Sequence, residues 1–180
     1  GSELSPEVQF LRGFRDGTVM STFAGSHFMK AFNAWYYSFS PYVADFVSKQ
    51  PLLKEAMKVL LYPLIGILHL TATTYNAFGF SKEFAVVMAG LVASSLIGVV
   101  YFSPLAILTL ALLRRYRKIT MRISQLRILA ILWAASVLMI FVGQVASVPP
   151  LMIVSTALFV VSTLSLGALT VATALLHRIH

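Results

Sequence analysis

The 180-residue chain contains no cysteine, only six acidic residues, and 11% charged residues in all. Without cysteine, neither a disulfide scaffold nor a thiolate metal site can form. A soluble domain usually carries about a quarter charged residues, so this chain is poorly suited to a surface that faces water on every side. It has 58% hydrophobic residues and a mean hydropathy of +0.84 instead. These values exclude a disordered chain and indicate an integral membrane protein.

Four apolar segments occupy residues 59–180, at 59–75, 84–113, 128–145 and 151–176. The last three are long enough to span a hydrocarbon core of about 30 Å. The first is the shortest, and both a membrane span and a re-entrant or in-plane segment are open for it. Pro104 is expected to kink the second segment, and the short turn at 146–150 predicts that the last two form an antiparallel hairpin. The predicted fold is therefore an all-α membrane protein with three or four transmembrane helices.

Residues 1–58 are mixed in composition and rich in aromatic residues. Apolar side chains recur at helical spacing in three stretches that begin near Ser5, Ser26 and Ser40, and none is long enough to span a bilayer. We expect short amphipathic helices at the membrane interface, because aromatic rings suit the depth of the lipid head groups. Packing as a small soluble domain is the alternative. The predicted interface anchors are Trp35, Tyr36, Tyr37 and Tyr42.

Six of the fourteen basic residues lie between positions 114 and 127, with no acid among them. They are Arg114, Arg115, Arg117, Lys118, Arg122 and Arg127. The cluster joins two apolar segments, so we expect a cytoplasmic loop of a multi-pass protein of the cell membrane that attracts anionic lipid head groups, and no nucleic-acid binding. The 146–150 turn would then lie outside. The amino end would be cytoplasmic if 59–75 spans, which Lys49, Lys54 and Lys58 favour, and outside if it does not.

Few residues in the chain are suited to catalysis or metal binding. The last three apolar segments carry no charged residue or histidine between their ends, which disfavours an ion-coupled transporter. His69 lies inside the first segment and is a candidate polar site, although a hydrogen bond at the interface is the commoner role. No phosphate loop, H-E-x-x-H or G-x-S-x-G motif is present. We therefore predict no enzyme activity, no metal and no cofactor.

Small residues at helical spacing predict close helix packing. Gly90, Ser94 and Gly98 form a ridge on the second segment, and Thr163 with Gly167 forms another on the last. Packing within one bundle is one interpretation, and contact between copies in a homo-oligomer is the other. The last segment is also rich in serine and threonine, whose hydroxyls either bond to their own helix or line a pore.

The amino-terminal region resembles the carboxy-terminal CFI-box domain of archaeal and bacterial envelope proteins. Residues 6–16, PEVQFLRGFRD, fit the family motif P-x-V-x-x-L-R-x-F-R-D, and residues 36–45, YYSFSPYVAD, fit Y-Y-x-x-S-P-x-x-A-D. The similarity covers residues 1–65. It implies a membrane-proximal helical module of an exported protein, with the amino end outside and a cysteine-containing box upstream. It implies no catalytic residues.

Two functions follow as expectations. The first is a membrane-embedded anchoring or scaffolding domain, the carboxy-terminal part of a larger envelope protein. The alternative is a homo-oligomeric channel or passive transporter with a hydroxyl-lined pore.

Overall fold

The computed structural model describes residues 6–117 and 123–178, with side chains for 6–112 and 126–175. Within these ranges the chain is helical and has no strand, which confirms the all-α fold class. A π-helical stretch, Phe14–Val19, extends the first helix, and another, Gly98–Phe102, joins the fourth to the fifth. The helices are α1 (Pro6–Gly13), α2 (Phe23–Ser48), α3 (Pro51–Ala77), α4 (Lys82–Ile97), α5 (Ser103–Arg117), α6 (Ile123–Ala146) and α7 (Pro149–Arg178).

Four helical segments are long and apolar enough to cross a membrane, which supports a multi-pass membrane protein. They are Pro51–Ala77, Lys82–Leu112, Leu126–Ala146 and Pro149–Leu175. The first begins eight residues before the predicted segment at Val59, because Gln50 is extended and Pro51 occupies the first helical turn, where its fixed φ favours a helix start. At 1.5 Å per residue its 27 residues extend about 40 Å.

Helix α2 corrects the prediction of only short helices before the first span. It begins at Phe23 and not at Ser26, and it runs for 26 residues straight through Pro41. A proline inside a helix removes one backbone hydrogen bond, here the one to the carbonyl of Tyr37. Tyr37 is 64% exposed, so that carbonyl is not forced into an apolar core. The break expected at Ser40–Pro41 is therefore absent.

The predicted kink at Pro104 coincides with the π-helical stretch Gly98–Phe102. The N–H of Ser103 bonds to the carbonyl of Gly98 in the π register, so the next donor in that register would be the nitrogen of Pro104, bonding to Val99. Proline has no N–H. The hydroxyl of the buried Ser103 donates to the carbonyl of Val99 instead. The side chain of Ser103 thus supplies the donor that Pro104 lacks.

Helices α3 and α4 form one antiparallel hairpin, and α6 and α7 form a second. The second turn is a Schellman motif, in which the N–H of Val148 bonds to the carbonyl of Gly143 at 3.1 Å and that of Ser147 to Gln144 at 3.4 Å. Ser147 adopts the left-handed conformation, with φ of 53°, which glycine usually occupies in this motif. The predicted hairpin is present, with a turn of two residues.

A buried core ties the start of α2 to the second hairpin and to α4. It consists of Ala24, Val86, Ile140, Met152 and Phe159. Because these residues come from the starts of α2, α4 and α7 and from the last turns of α6, they mark one end of the bundle, which we call the turn end. Ala24, with the part-buried Phe23 packed beside it, therefore joins the start of α2 to the core of the bundle.

The opposite end, which we call the basic end, carries the α2–α3 turn. The hydroxyl of Tyr101, far along the α4–α5 direction from Lys82, donates to the carbonyl of Leu60. Residues 49–58 therefore lie further still from the turn end. Helix α7 contacts α2, α4, α5 and α6, and it is the central helix of the described bundle.

Candidate functional site

The predicted interface anchors lie on the carboxy-terminal half of α2, residues 34–48, which we call the aromatic half. Every residue from 34 to 46 except Ser40 is exposed, so this part of the helix has little cover among the described residues. The rings contact one another along the helix, with Trp35 and Phe39 edge to face at 4.7 Å between centroids. The anchors are exposed by 63% (Trp35), 43% (Tyr36), 64% (Tyr37) and 78% (Tyr42). An apolar surface of this kind needs a lipid or protein partner.

Charged side chains follow the aromatic half at the basic end. Lys49 Nζ lies 2.6 Å from Asp45 Oδ2, and Lys58 Nζ lies 2.7 Å from Glu55 Oε1. All four side chains are more than half exposed, and such pairs contribute little to stability. They lie near the end of α2 and the start of α3, where charged residues replace apolar ones.

The amino-terminal half of α2 is held in place by a carboxylate from another helix. Glu83, in the first turn of α4, accepts the N–H of Phe23 at 2.5 Å and the N–H of Ala24 at 3.1 Å. Thr22 Oγ1 accepts the N–H of Gly25 at 3.1 Å. These three bonds satisfy the donors that the first turn of a helix leaves free. The carboxylate also lies at the positive ends of two helix dipoles.

We call these three hydrogen bonds the clamp. Gly25 is part of it, and no side chain fits at its position. A Cβ there would overlap the backbone carbonyl of Val19 and approach Thr22 Oγ1 to 2.6 Å. Sequence reasoning missed both Glu83 and Gly25. Glu83 follows the helix cap Ser81, so in sequence it is indistinguishable from an ordinary acid of a first helical turn. Its partner is 60 residues away in sequence.

His69, the candidate polar site, is exposed on α3 and stacks on Phe10 of α1 at 3.9 Å between ring centroids, with the planes 11° apart. A groove of about 310 Å³ between α1 and α3 lies beside this pair. Nearby on the chain, Arg15 bonds Asp16, with Nε 2.6 Å from Oδ1. This hydrogen bond lowers the pKa of Asp16 and raises that of Arg15. In the described chain, no three His, Cys, Asp or Glu side chains are grouped to hold a metal.

The two small-residue ridges are brought together at one close helix crossing. A Cβ on Gly98 would overlap the backbone carbonyl of Leu164, and a Cβ on Gly167 would lie 3.0 Å from the carbonyl oxygen of Ser95. Ser94 is buried and donates to the carbonyl of Gly90 at 2.6 Å. Gly90 has nothing within 4 Å of its missing Cβ. The crossing therefore packs α4 against α7 within one chain, and Gly90 lies outside it.

Thr163 links α7 to α6. Its Oγ1 accepts the indole N–H of Trp133 at 3.0 Å and donates to the carbonyl of Phe159 at 2.7 Å. The other hydroxyls of α7 also donate to carbonyls of their own helix. Four of the serine and threonine residues of α7, Thr163 included, are buried inside the chain. The buried ones are Ser155, Thr156, Ser162 and Thr163.

The structure describes the basic cluster only in part. Lys118 and Arg122 fall outside the described residues entirely, and for Arg114, Arg115 and Arg117 only the backbone of α5 is described. Arg127, on α6, is exposed. The cluster thus begins in the last turns of α5 and ends near the start of α6.

No protein-family model, no curated protein and no solved structure matches the chain. The resemblance of residues 1–65 to the CFI-box domain stays a prediction.

Proposed function

We propose that the chain is a membrane-embedded anchoring and scaffolding domain whose aromatic half of α2 lies in the lipid interface. The observation that carries this proposal is the contrast along α2. Glu83 and the core hold its first half, while its second half presents aromatic rings with little cover from the chain itself. Tyrosine and tryptophan are enriched at the head-group level because their rings are apolar and their tips polar.

The distribution of charge supports an orientation. The α2–α3 turn with Lys49 and Lys54, the end of α5 at Arg117, and the end of α7 at Arg178 all belong to the basic end. Positive charge concentrates on the cytoplasmic side of membrane proteins. In this proposal the protein resides in the cell membrane with its basic end, including the 114–127 loop, in the cytoplasm.

The path of α2 supports a placement of the amino end within this proposal. Since α2 leads from the turn end towards the basic end and α3 returns, α1 lies at the turn end while Lys49, Lys54 and Lys58 lie at the other. The amino end is then outside even though α3 crosses. This agrees with the resemblance, which adds that the domain ends a larger envelope protein.

The alternative, a channel or passive transporter, has less support. A hydroxyl-lined pore between copies needs hydroxyls that face outward with free donors. Four hydroxyls of α7 are buried within the chain, and exposed Thr170 donates to the carbonyl of Leu166. Such back-bonding satisfies a hydroxyl within its own helix.

The two tryptophans give a direct test. In a Trp133→Phe variant, Trp35 is the single reporter of the aromatic half. The protein is reconstituted into phosphatidylcholine vesicles brominated either near the carbonyl end or near the methyl end of the acyl chains. We expect stronger quenching of Trp35 fluorescence by the shallow bromines, because the ring lies near the head groups. Trp35→Phe, which keeps the part-buried Trp133 of the bundle, is the matched control.

Two outcomes would overturn the interfacial placement. Stronger quenching by the deep bromines would mean that Trp35 lies in the hydrocarbon core and not at the level of the head groups. Quenching by aqueous iodide and by neither brominated lipid would mean that the aromatic half faces water and serves a protein partner.

A further inference from the structure

A groove of about 280 Å³ runs between α5 and α7 on the outside of the bundle. Its walls include Phe102 at the end of the π-helical stretch, Leu105 and Thr109 of α5, and Leu164, Ser165 and Ala168 of α7. Both hydroxyls are already engaged, since Thr109 donates to the carbonyl of Leu105 and Ser165 to that of Val161, each at 2.8 Å. The groove therefore presents an apolar surface with no free hydroxyl donor.

Close contacts of α7 lie on both sides of the groove, towards the turn end and towards the basic end. Towards the turn end, Gly98 and Gly167 let α4 and α7 meet backbone to backbone. Towards the basic end, Leu110 and Ala172 are buried against each other. Between these contacts, the wall on α7 is made partly of the small residues Ser165 and Ala168, which fill little of the space.

The depth of the groove in the membrane favours a lipid acyl chain as its occupant. Phe102 to Thr109 lie within the apolar span Lys82–Leu112, and the helical backbone continues to Arg117. At 1.5 Å per residue, Arg114 lies about 7 Å beyond Thr109 and about 18 Å beyond Phe102. One leaflet of hydrocarbon is about 15 Å deep, half of the usual core. A lipid with its head group at the level of residues 114–117 would thus have its chain at the level of the groove.

We propose that the groove is a binding site for one acyl chain of an anionic phospholipid, whose head group lies at the level of Arg114, Arg115 and Arg117 in the last turns of α5. The apolar walls select a hydrocarbon chain, and the positive charge at the end of α5 selects an anionic head group. This site rests on the proposed placement of the basic end at charged head groups. It involves neither α2 nor Trp35.

Native mass spectrometry of the full chain in detergent tests the site, with phosphatidylglycerol and phosphatidylcholine of identical acyl chains as probes. We expect phosphatidylglycerol to be retained preferentially and saturably. Ser165→Phe places a ring in the groove and should lower retention about tenfold, in line with a loss of roughly 1.4 kcal/mol of binding free energy. Val161→Phe is the matched control, because Val161 lies one turn away on α7, is 61% exposed and does not line the groove.

A second pair of variants keeps the test decisive if Ser165→Phe fails to fold. Leu105→Trp fills the groove from the α5 side, at a position 60% exposed, and Leu108→Trp, 58% exposed and outside the groove, is its control. Circular dichroism and elution volume establish that each variant is folded. Equal retention of lipid by the groove variants and their controls would overturn the site.

A separate variant tests the preference for an anionic head group. Replacing Arg114, Arg115 and Arg117 together by glutamine should abolish the preference for phosphatidylglycerol, a change of about tenfold to a hundredfold, while a chain remains bound. A preference that survives this change would contradict the role of the arginines. Because Trp35 quenching reports α2 alone, a failure of the lipid site leaves the anchoring proposal standing, and the reverse also holds.

Discussion

Residues 23–33 and residues 34–48 form one continuous helix, yet the first half packs against α4 and α7 while the second has little cover. Both halves are rich in aromatic residues, so hydrophobicity does not distinguish them. The first half also has small residues at the contact, with Ala24 3% exposed and Gly25 enclosed by Val19 and Thr22. The second half has Trp35 and three tyrosines. Close approach of backbones needs small side chains, whereas a lipid interface accommodates large rings with polar tips.

His27 illustrates how the first half differs from the second. It is 6% exposed, its ring packs on Phe23 at 4.3 Å between centroids, and its Nδ1 lies 2.8 Å from the carbonyl oxygen of Phe23. A carbonyl only accepts hydrogen bonds, so Nδ1 carries a proton. In the aromatic half, Tyr42 is 78% exposed and has no such enclosure.

The largest contrast between the two halves is expected from adding bulk to each of them at an alanine. Ala24→Leu inserts three heavy atoms among Val86, Ile140, Met152 and Phe159, and overpacking of this kind destabilises by about 1–3 kcal/mol. Ala44→Leu adds the same atoms at an exposed position and should change stability by less than about 0.5 kcal/mol. Reversible unfolding in mixed micelles measures both. Equal losses would show that the aromatic half is also packed, and the contrast between the halves would fail.

The next largest effect is expected from weakening the clamp, in which Glu83 holds the start of α2. In Glu83→Gln the carboxylate is replaced by an amide whose NH₂ cannot accept a hydrogen bond, so one of the N–H groups of Phe23 and Ala24 loses its partner. Hydrogen bonds to charged groups contribute about 1.5–3 kcal/mol. Amide exchange at Phe23 and Ala24 should accelerate by about tenfold or more, with a matching loss of stability.

Glu55→Gln is the matched control for the clamp, because Glu55 is 69% exposed and its ion pair with Lys58 is at the surface. It should cost between zero and about 1 kcal/mol. If the two glutamine variants lose the same stability, Glu83 is an ordinary surface acid and the start of α2 is fixed by other contacts.

The sequence was sufficient to predict most of the membrane-embedded fold. Long apolar runs report transfer into lipid directly, which is why the last three spans were anticipated, and the short uncharged turn between the last two predicted their hairpin. The Gly98 and Gly167 ridges were also found, because small residues four apart are a local pattern. Which ridge meets which helix is not local, and Gly90, at the same spacing, has nothing near it.

The amino-terminal helices were predicted less well, for two physical reasons. Ser40–Pro41 is a common helix start, but a single missing hydrogen bond does not end a helix whose neighbouring residues are exposed. The clamp depends on a contact between Glu83 and residues 60 positions earlier, and no periodicity reports a contact of that kind. Periodicity showed which residues share a face, and only the packing shows which part of that face is covered.

The smallest effect on the bundle is expected from Pro41→Ala. Alanine at position 41 restores an N–H that can donate to the carbonyl of Tyr37, and proline in a helix interior is less favourable than alanine by about 3 kcal/mol. Part of this gain is offset, because alanine also gives the unfolded chain more freedom. Amide exchange within residues 34–48 should slow by about tenfold or more, while exchange within residues 23–33 stays unchanged, because the clamp and the core already hold the first half. Pro63→Ala, at the exposed proline inside α3, is the control and should slow exchange in α3 only. Slower exchange in both halves of α2 would show that they open as one cooperative unit, and the aromatic half would then be an extension of the bundle rather than a segment that lipid must cover.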